Sequence, residues 1–116
     1  MRIQFHQGLT LQKWQAVPLD QKILNIASEL TRAKNASTAH NQDALHHSLE
    51  RVIELMDLSV EAQVRTIPGL LREFLMLRKF LAEIYLQTAQ DTNDLLLALK
   101  NLIDLVPSVH NLKLEF

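Results

Sequence analysis

The chain has no cysteine, only two glycines and three prolines among 116 residues, and no long apolar run. The first absence removes disulfides, thiolate nucleophiles and cysteine-held metals together. The scarcity of glycine and proline argues against a turn-rich β protein. It also leaves neither a P-loop nor a Gly-x-Gly-x-x-Gly turn to cradle a nucleotide phosphate. A bilayer span needs about 20 consecutive apolar residues, which no stretch supplies. The opening MRIQFHQGLTLQKW lacks the continuous apolar core of a secretory signal. The cytoplasm is therefore the expected compartment, with no membrane partner. Neither sign of charge dominates, with 12 Lys and Arg against 13 Asp and Glu and a net charge of -1. No global field draws the chain to nucleic acid, which is disfavoured as a partner.

What is present in excess is leucine, at 23 positions, within a hydrophobic share of 47%. Leucine is a good helix former, so the composition predicts an all-α chain. With no repeat, Ser/Gly linker or low-complexity tract, residues 1–116 read as one domain. It divides into an amino-terminal arm (1–17), a helical body (18–106) and a carboxy-terminal tail (107–116).

Met1, Ile3 and Phe5 alternate with Arg2, Gln4 and His6, and Leu112, Leu114 and Phe116 alternate with Lys113 and Glu115. This period of two suits short strands, so the ends are candidates for a small terminal β-ribbon. Trp14 is the single tryptophan and is expected to lie as a lid over helix ends, since a large aromatic buries much area. Helix one is predicted from Pro18 or Leu19 to Ala36, with Ile23, Ile26, Ala27, Leu30 and Ala33 on its inner face. Asn35 to Asn41 reads as a connection rich in turn formers. Helix two follows from Gln42 to Leu58, with Asn41 as a cap and a stripe of Leu45, Leu49, Val52, Ile53 and Met56. Asp43, Glu50, Glu54 and Asp57 make its outside acidic, and Arg65, Arg72, Arg78 and Lys79 make the next region basic. A turn or kink is expected around Ile67-Pro68-Gly69. The last helix is predicted over Thr92 to Val106. Short connections between four helices give an up-and-down four-helix bundle as the simplest assembly.

The stretch from Ile67 to Leu86 is the most apolar, and it reads as the helix around which the others pack. Leu70, Phe74, Leu77, Leu81, Ile84 and Tyr85 form one stripe at helical spacing. Leu71, Leu75 and Leu86 form a second apolar flank, with Met76 and Phe80 on the other side. Apolar surface beyond one core stripe marks a contact, so these five residues are the candidate partner-binding set.

Catalytic chemistry finds few components. Ser48 neighbours His47, but adjacent helical residues point about 100° apart, and no nucleophile elbow is present. The arginine-to-histidine spacing of small helical toxin ribonucleases is also missing. Asp43, His46, His47 and Glu50 sit at one-turn spacings that two metal ligands can share. However, the His-Glu-x-x-His signature is absent, so solvated histidines and no bound metal or cofactor are expected. Arg65, Arg72, Arg78 and Lys79 define the alternative of a basic RNA-binding face.

The order of elements from Pro18 to Val106 resembles the flagellin-specific export chaperone family. PLDQKILNIASELTRAKN is similar to that family's first helix, LERVIELMDLSVE to its second and LLREFLMLRKFLAEIYL to its third. The strand-like ends depart from that pattern. The resemblance implies a four-helix bundle that holds a partner's segment along apolar grooves and catalyses nothing. The expectation is thus a non-enzymatic helical interaction module, a homodimer, with a protein partner or a second copy on the surplus flank. A helical metal- or small-molecule-binding protein and an RNA-binding bundle are the alternatives.

Overall fold

The computed structural model describes residues 10–87 and 91–106. It contains α1 (Leu11–Gln15), α2 (Leu19–Thr38), α3 (Gln42–Ala62), a 3-10 turn (Val64–Thr66), α4 (Leu70–Leu86) and α5 (Thr92–Asp104). The fold is all-α, and no strand occurs among the described residues. The ribbon expected from Met1–Gln7 and the last five residues lies outside them.

Four long helices form the bundle in the order the sequence predicts. α2 pairs most extensively with α3 and next with α5, while α4 closes the opposite corner against α3 and α5. The hub is therefore α3, which also packs against α1 and the 3-10 turn, not the stretch from Ile67 to Leu86. The reason lies in where the apolar residues sit. On α3 a long inner face, Leu45, Leu49, Val52, Leu55, Met56 and Leu58, is buried by several neighbours, and on α2 the face of Ile23, Ile26, Ala27, Leu30 and Ala33 is sealed against it and α5. On α4 only Leu70, Phe74, Leu77, Leu81 and Ile84 are buried, one stripe wide, so its remaining apolar residues fall on flanks.

The turn between α2 and α3 is shorter than NASTAHN suggests, because α2 continues to Thr38. His40 takes a left-handed backbone (φ 55). Its N–H donates to Ser37 O at 3.1 Å, and Asn41 N–H to Ala36 O at 2.9 Å. This is a Schellman ending, which satisfies carbonyls that the last turn leaves open. Asn41 then caps the next helix, its side chain accepting from Ala44 N–H at 3.2 Å. One short turn thus ends α2 and begins α3.

Helix α3 runs to Ala62, one turn beyond the predicted Leu58, because Leu58 and Ser59 are buried and extend its inner face. The expected interruption before α4 is present at Gly69, whose φ of 82 is a conformation only glycine adopts freely. α5 begins at the Asp91 cap, which accepts from Asn93 N–H at 2.8 Å. Ser37 Oγ and Thr92 Oγ1 lie 2.7 Å apart, tying the end of α2 to the start of α5.

The amino-terminal arm is in part a helix. α1 follows Thr10, which caps it by accepting from Lys13 N–H at 3.1 Å. Trp14 is buried against α3, and its indole donates to Ser59 Oγ at 2.9 Å. The lid expected of the single tryptophan is where the sequence put it.

Candidate functional site: an apolar groove between α4 and α5

Helical geometry divides α4 into three strips. Its core stripe faces inward, and the flanks on either side point to different neighbours. One flank carries Leu71, Leu75, Arg78, Tyr85 and Leu86. Arg78 donates from Nε and Nη2 to the two carboxylate oxygens of Asp57 at 2.5 and 3.1 Å. Tyr85 donates its hydroxyl to Glu50 at 2.7 Å. Both acceptors are on α3, so this flank lies along the α3 side.

The other flank carries Glu73, Met76 and Phe80, spaced one turn apart. With α5 it encloses a cavity of about 820 Å³. Leu97, Asn101, Asp104 and Leu105 form the α5 wall, and Leu19 with the Ile67–Gly69 turn closes one end. Met76 remains 57% exposed and Leu97 50% exposed. Phe80 is half-buried against the core. The volume lies within the range of about 300–1,000 Å³ typical of ligand pockets. The charged residues lining the cavity are the acids Glu73 and Asp104, with no cation among them.

The five candidate partner residues are therefore split. Met76 and Phe80 meet in the groove, Leu71 is half-buried against the core, and Leu75 (44% exposed) and Leu86 (80%) face outward elsewhere. Sequence reasoning missed the α5 wall. The signal was the run Leu95-Leu96-Leu97: three successive leucines cannot all face one core, and Leu96 and Leu97 are exposed.

The histidine cluster does not assemble as a ligand set. His46 packs on Tyr85 with ring centroids 5.1 Å apart, and its Nε2 lies 3.0 Å from Gln42 Nε2. Glu50 is engaged by Tyr85, and this hydrogen bond pushes the Tyr85 hydroxyl above its ordinary pKa. Among the described residues no three His, Cys, Asp or Glu side chains gather to hold a metal ion. The basic set is likewise divided. Arg78 is committed to Asp57, a pairing that raises its pKa, whereas Arg65, Arg72 and Lys79 stand exposed.

A second polar node, not foreseen in the sequence, lies at the base of α1. Lys22 is fully buried, and its ammonium donates to Val17 O at 2.8 Å and Gln63 Oε1 at 2.7 Å. Among the described residues no carboxylate forms an ion pair with it. Burial pushes its pKa below the ordinary lysine value. Position 22 lies four residues before Ile26, on the buried face, and that spacing was the available clue.

Among the described residues, fold and cavity together define an all-α bundle with an open apolar groove at its α4–α5 corner. No helix of the described residues is long and apolar enough to cross a membrane. No family model matches the chain, and no curated protein or solved structure matches it either.

Proposed function

We propose that this protein is a non-enzymatic helical interaction module that holds an apolar segment of a partner protein in the α4–α5 groove, in the manner of an export chaperone or adaptor. The observation that carries this reading is the groove itself, with Met76 and Leu97 each half exposed across an apolar cavity. An amphipathic helix laid in such a groove buries its apolar stripe, a recurring mode of peptide recognition. Glu73 in the lining favours lysine or arginine along that edge of the stripe.

A synthetic amphipathic Leu/Lys peptide of about 14 residues, long enough for four helical turns, serves as the probe. Fluorescence anisotropy should show saturable binding to the natural chain. Phe80→Asp places a charge in the apolar wall and should weaken binding at least about tenfold, a change of about 1.4 kcal/mol. Binding that survives Phe80→Asp unchanged, with the fold intact by circular dichroism, would remove the groove as the site.

The opposite flank supports a second reading, self-association in a homodimer. Leu75 and Leu86 are exposed there, away from the groove. Light scattering over a dilution series should show a dimer that Leu75→Asp converts to a folded monomer. A natural chain that is monomeric throughout sinks this reading and leaves the groove reading in place.

A further inference from the structure

The outer face of α4 carries a pattern separate from the groove. Arg72, Leu75, Lys79, Ala82 and Leu86 follow one another at alternating spacings of three and four residues, the heptad spacing by which one helix packs along another. Leu75 and Leu86 are 44% and 80% exposed, Lys79 and Glu83 are exposed, and Ala82 is half-buried. Among the described residues neither Lys79 nor Glu83 is held in an ion pair. We propose that this face packs antiparallel on the same face of a second copy, with Leu75 opposite the partner's Leu86 and Lys79 beside the partner's Ala82 and Glu83. The pairing rests on the self-association reading above and adds its orientation and register.

Charge selects the orientation. In a parallel pair each residue meets its own copy, so Lys79 would face Lys79 and Arg72 would face Arg72, and like charges so close repel. The antiparallel register that sets Lys79 against Lys79 repeats the fault. Setting Leu75 against Lys79 wastes the leucine and carries Leu86 past the start of the partner's α4. Only Leu75 opposite Leu86 serves both sets. Two-fold symmetry then gives two leucine contacts and two Lys79–Glu83 pairs from one patch. Ala82, near the axis, is small enough to admit the lysine stem, which lies along apolar surface while its ammonium reaches the carboxylate. A lysine at one seam position costs stability and fixes register. Glu73 and Phe80 lie about a third of a turn round the helix from this stripe, so the α4–α5 groove stays open. A single helix pair buries little area, so the dimer should dissociate on dilution.

The chain has no cysteine, so introduced thiols report the geometry through disulfide formation. Leu75→Cys and Leu86→Cys are oxidised mildly, each alone and as an equal mixture. Positions 75 and 86 are eleven residues apart, so in the antiparallel pair like positions are separated by about 16 Å along the helix. That is beyond a disulfide, whose Cα atoms lie within about 7 Å. The mixture should form cross-linked dimer at least about tenfold faster than either variant alone, because only unlike thiols are held at high effective concentration. Glu83→Lys sets a lysine beside each Lys79 and should raise the dimer dissociation constant about tenfold. Adding Lys79→Glu should restore it.

Equally fast cross-linking of each single variant with itself would overturn the antiparallel pairing and leave the dimer standing. Weakening by Glu83→Lys that the double exchange fails to restore, with helix content unchanged by circular dichroism, would overturn the register. A natural chain that light scattering finds monomeric at every concentration would overturn the pairing and the self-association reading together, and leave this face to a different partner.

Discussion

Trp14→Ala should lower the unfolding free energy by about 3–5 kcal/mol, the range for truncating a large buried aromatic. Urea denaturation followed by circular dichroism measures it. Trp14 is 3% exposed although it stands on a helix of only five residues. Such a helix has little stability of its own, since isolated short helices are marginal in water. Its place on α3 thus depends on the indole. The substitution removes the ring's buried area, opens a cavity and takes away the donor to Ser59 Oγ. Ser59 keeps its own bond to Leu55 O, at 2.7 Å, so the hydroxyl is not wholly orphaned. Trp14→Phe separates the two contributions. It keeps most of the ring but loses the indole N–H, and should cost about 1–3 kcal/mol. A loosely attached arm would instead give changes within about 0.5 kcal/mol for both variants, as surface substitutions do.

The Lys22 node gives the second large effect. Gln63→Leu removes one of the two acceptors of a buried ammonium and should destabilise the fold by about 1.5–3 kcal/mol, the scale of a hydrogen bond to a charged group. Placed on a Lys22→Met background, the same change should cost much less, because no ammonium remains to be solvated. The difference is the coupling between the two side chains. The pH dependence follows from the same burial. Folding lowers the Lys22 pKa from 10.5, so the unfolded chain binds more protons wherever pH lies between the folded and unfolded values. Stability contributed by this group is then greatest above the unfolded pKa and is lost as pH falls through the folded one. The natural chain should therefore gain stability relative to Lys22→Met as pH rises toward 10.5. A constant difference between the two across that interval would mean that Lys22 titrates in the fold as it does in water.

The helices were legible because their signals are local. The stripes of α2 and α3, the Asn41 and Asp91 caps and the Ile67-Pro68-Gly69 break each depend on residues within a turn or two. The packing order was not legible in the same way. Ile67 to Leu86 is the most apolar stretch, yet α3 became the hub, because centrality depends on how many neighbours cover a helix rather than on how apolar it is. α3 is covered by α1, α2, α4 and the 3-10 turn, whereas Phe74, Leu77 and Leu81 of α4 fill the seam that α3 and α5 provide. The same limit affected the site. Met76 and Phe80 were identified as surplus apolar residues, but nothing local shows that Leu97 and Leu105 stand across from them. That juxtaposition is made by the packing of α4 against α5. Leu75 and Leu86 carried the same signal and ended on a different face. The ion pair of Arg78 with Asp57 was foreshadowed by the acidic and basic outsides of neighbouring helices. With both side chains about a third exposed, it orients more than it stabilises.

The most direct test of the groove is to map the Leu/Lys peptide by amide chemical shifts on the isotope-labelled natural chain. The prediction is that perturbations concentrate at residues 67–80 and 97–105 and leave the α2–α3 face unchanged. Saturable binding whose perturbations fall on the α2–α3 face, or an absence of any perturbation, would contradict the assignment of this corner as the binding surface.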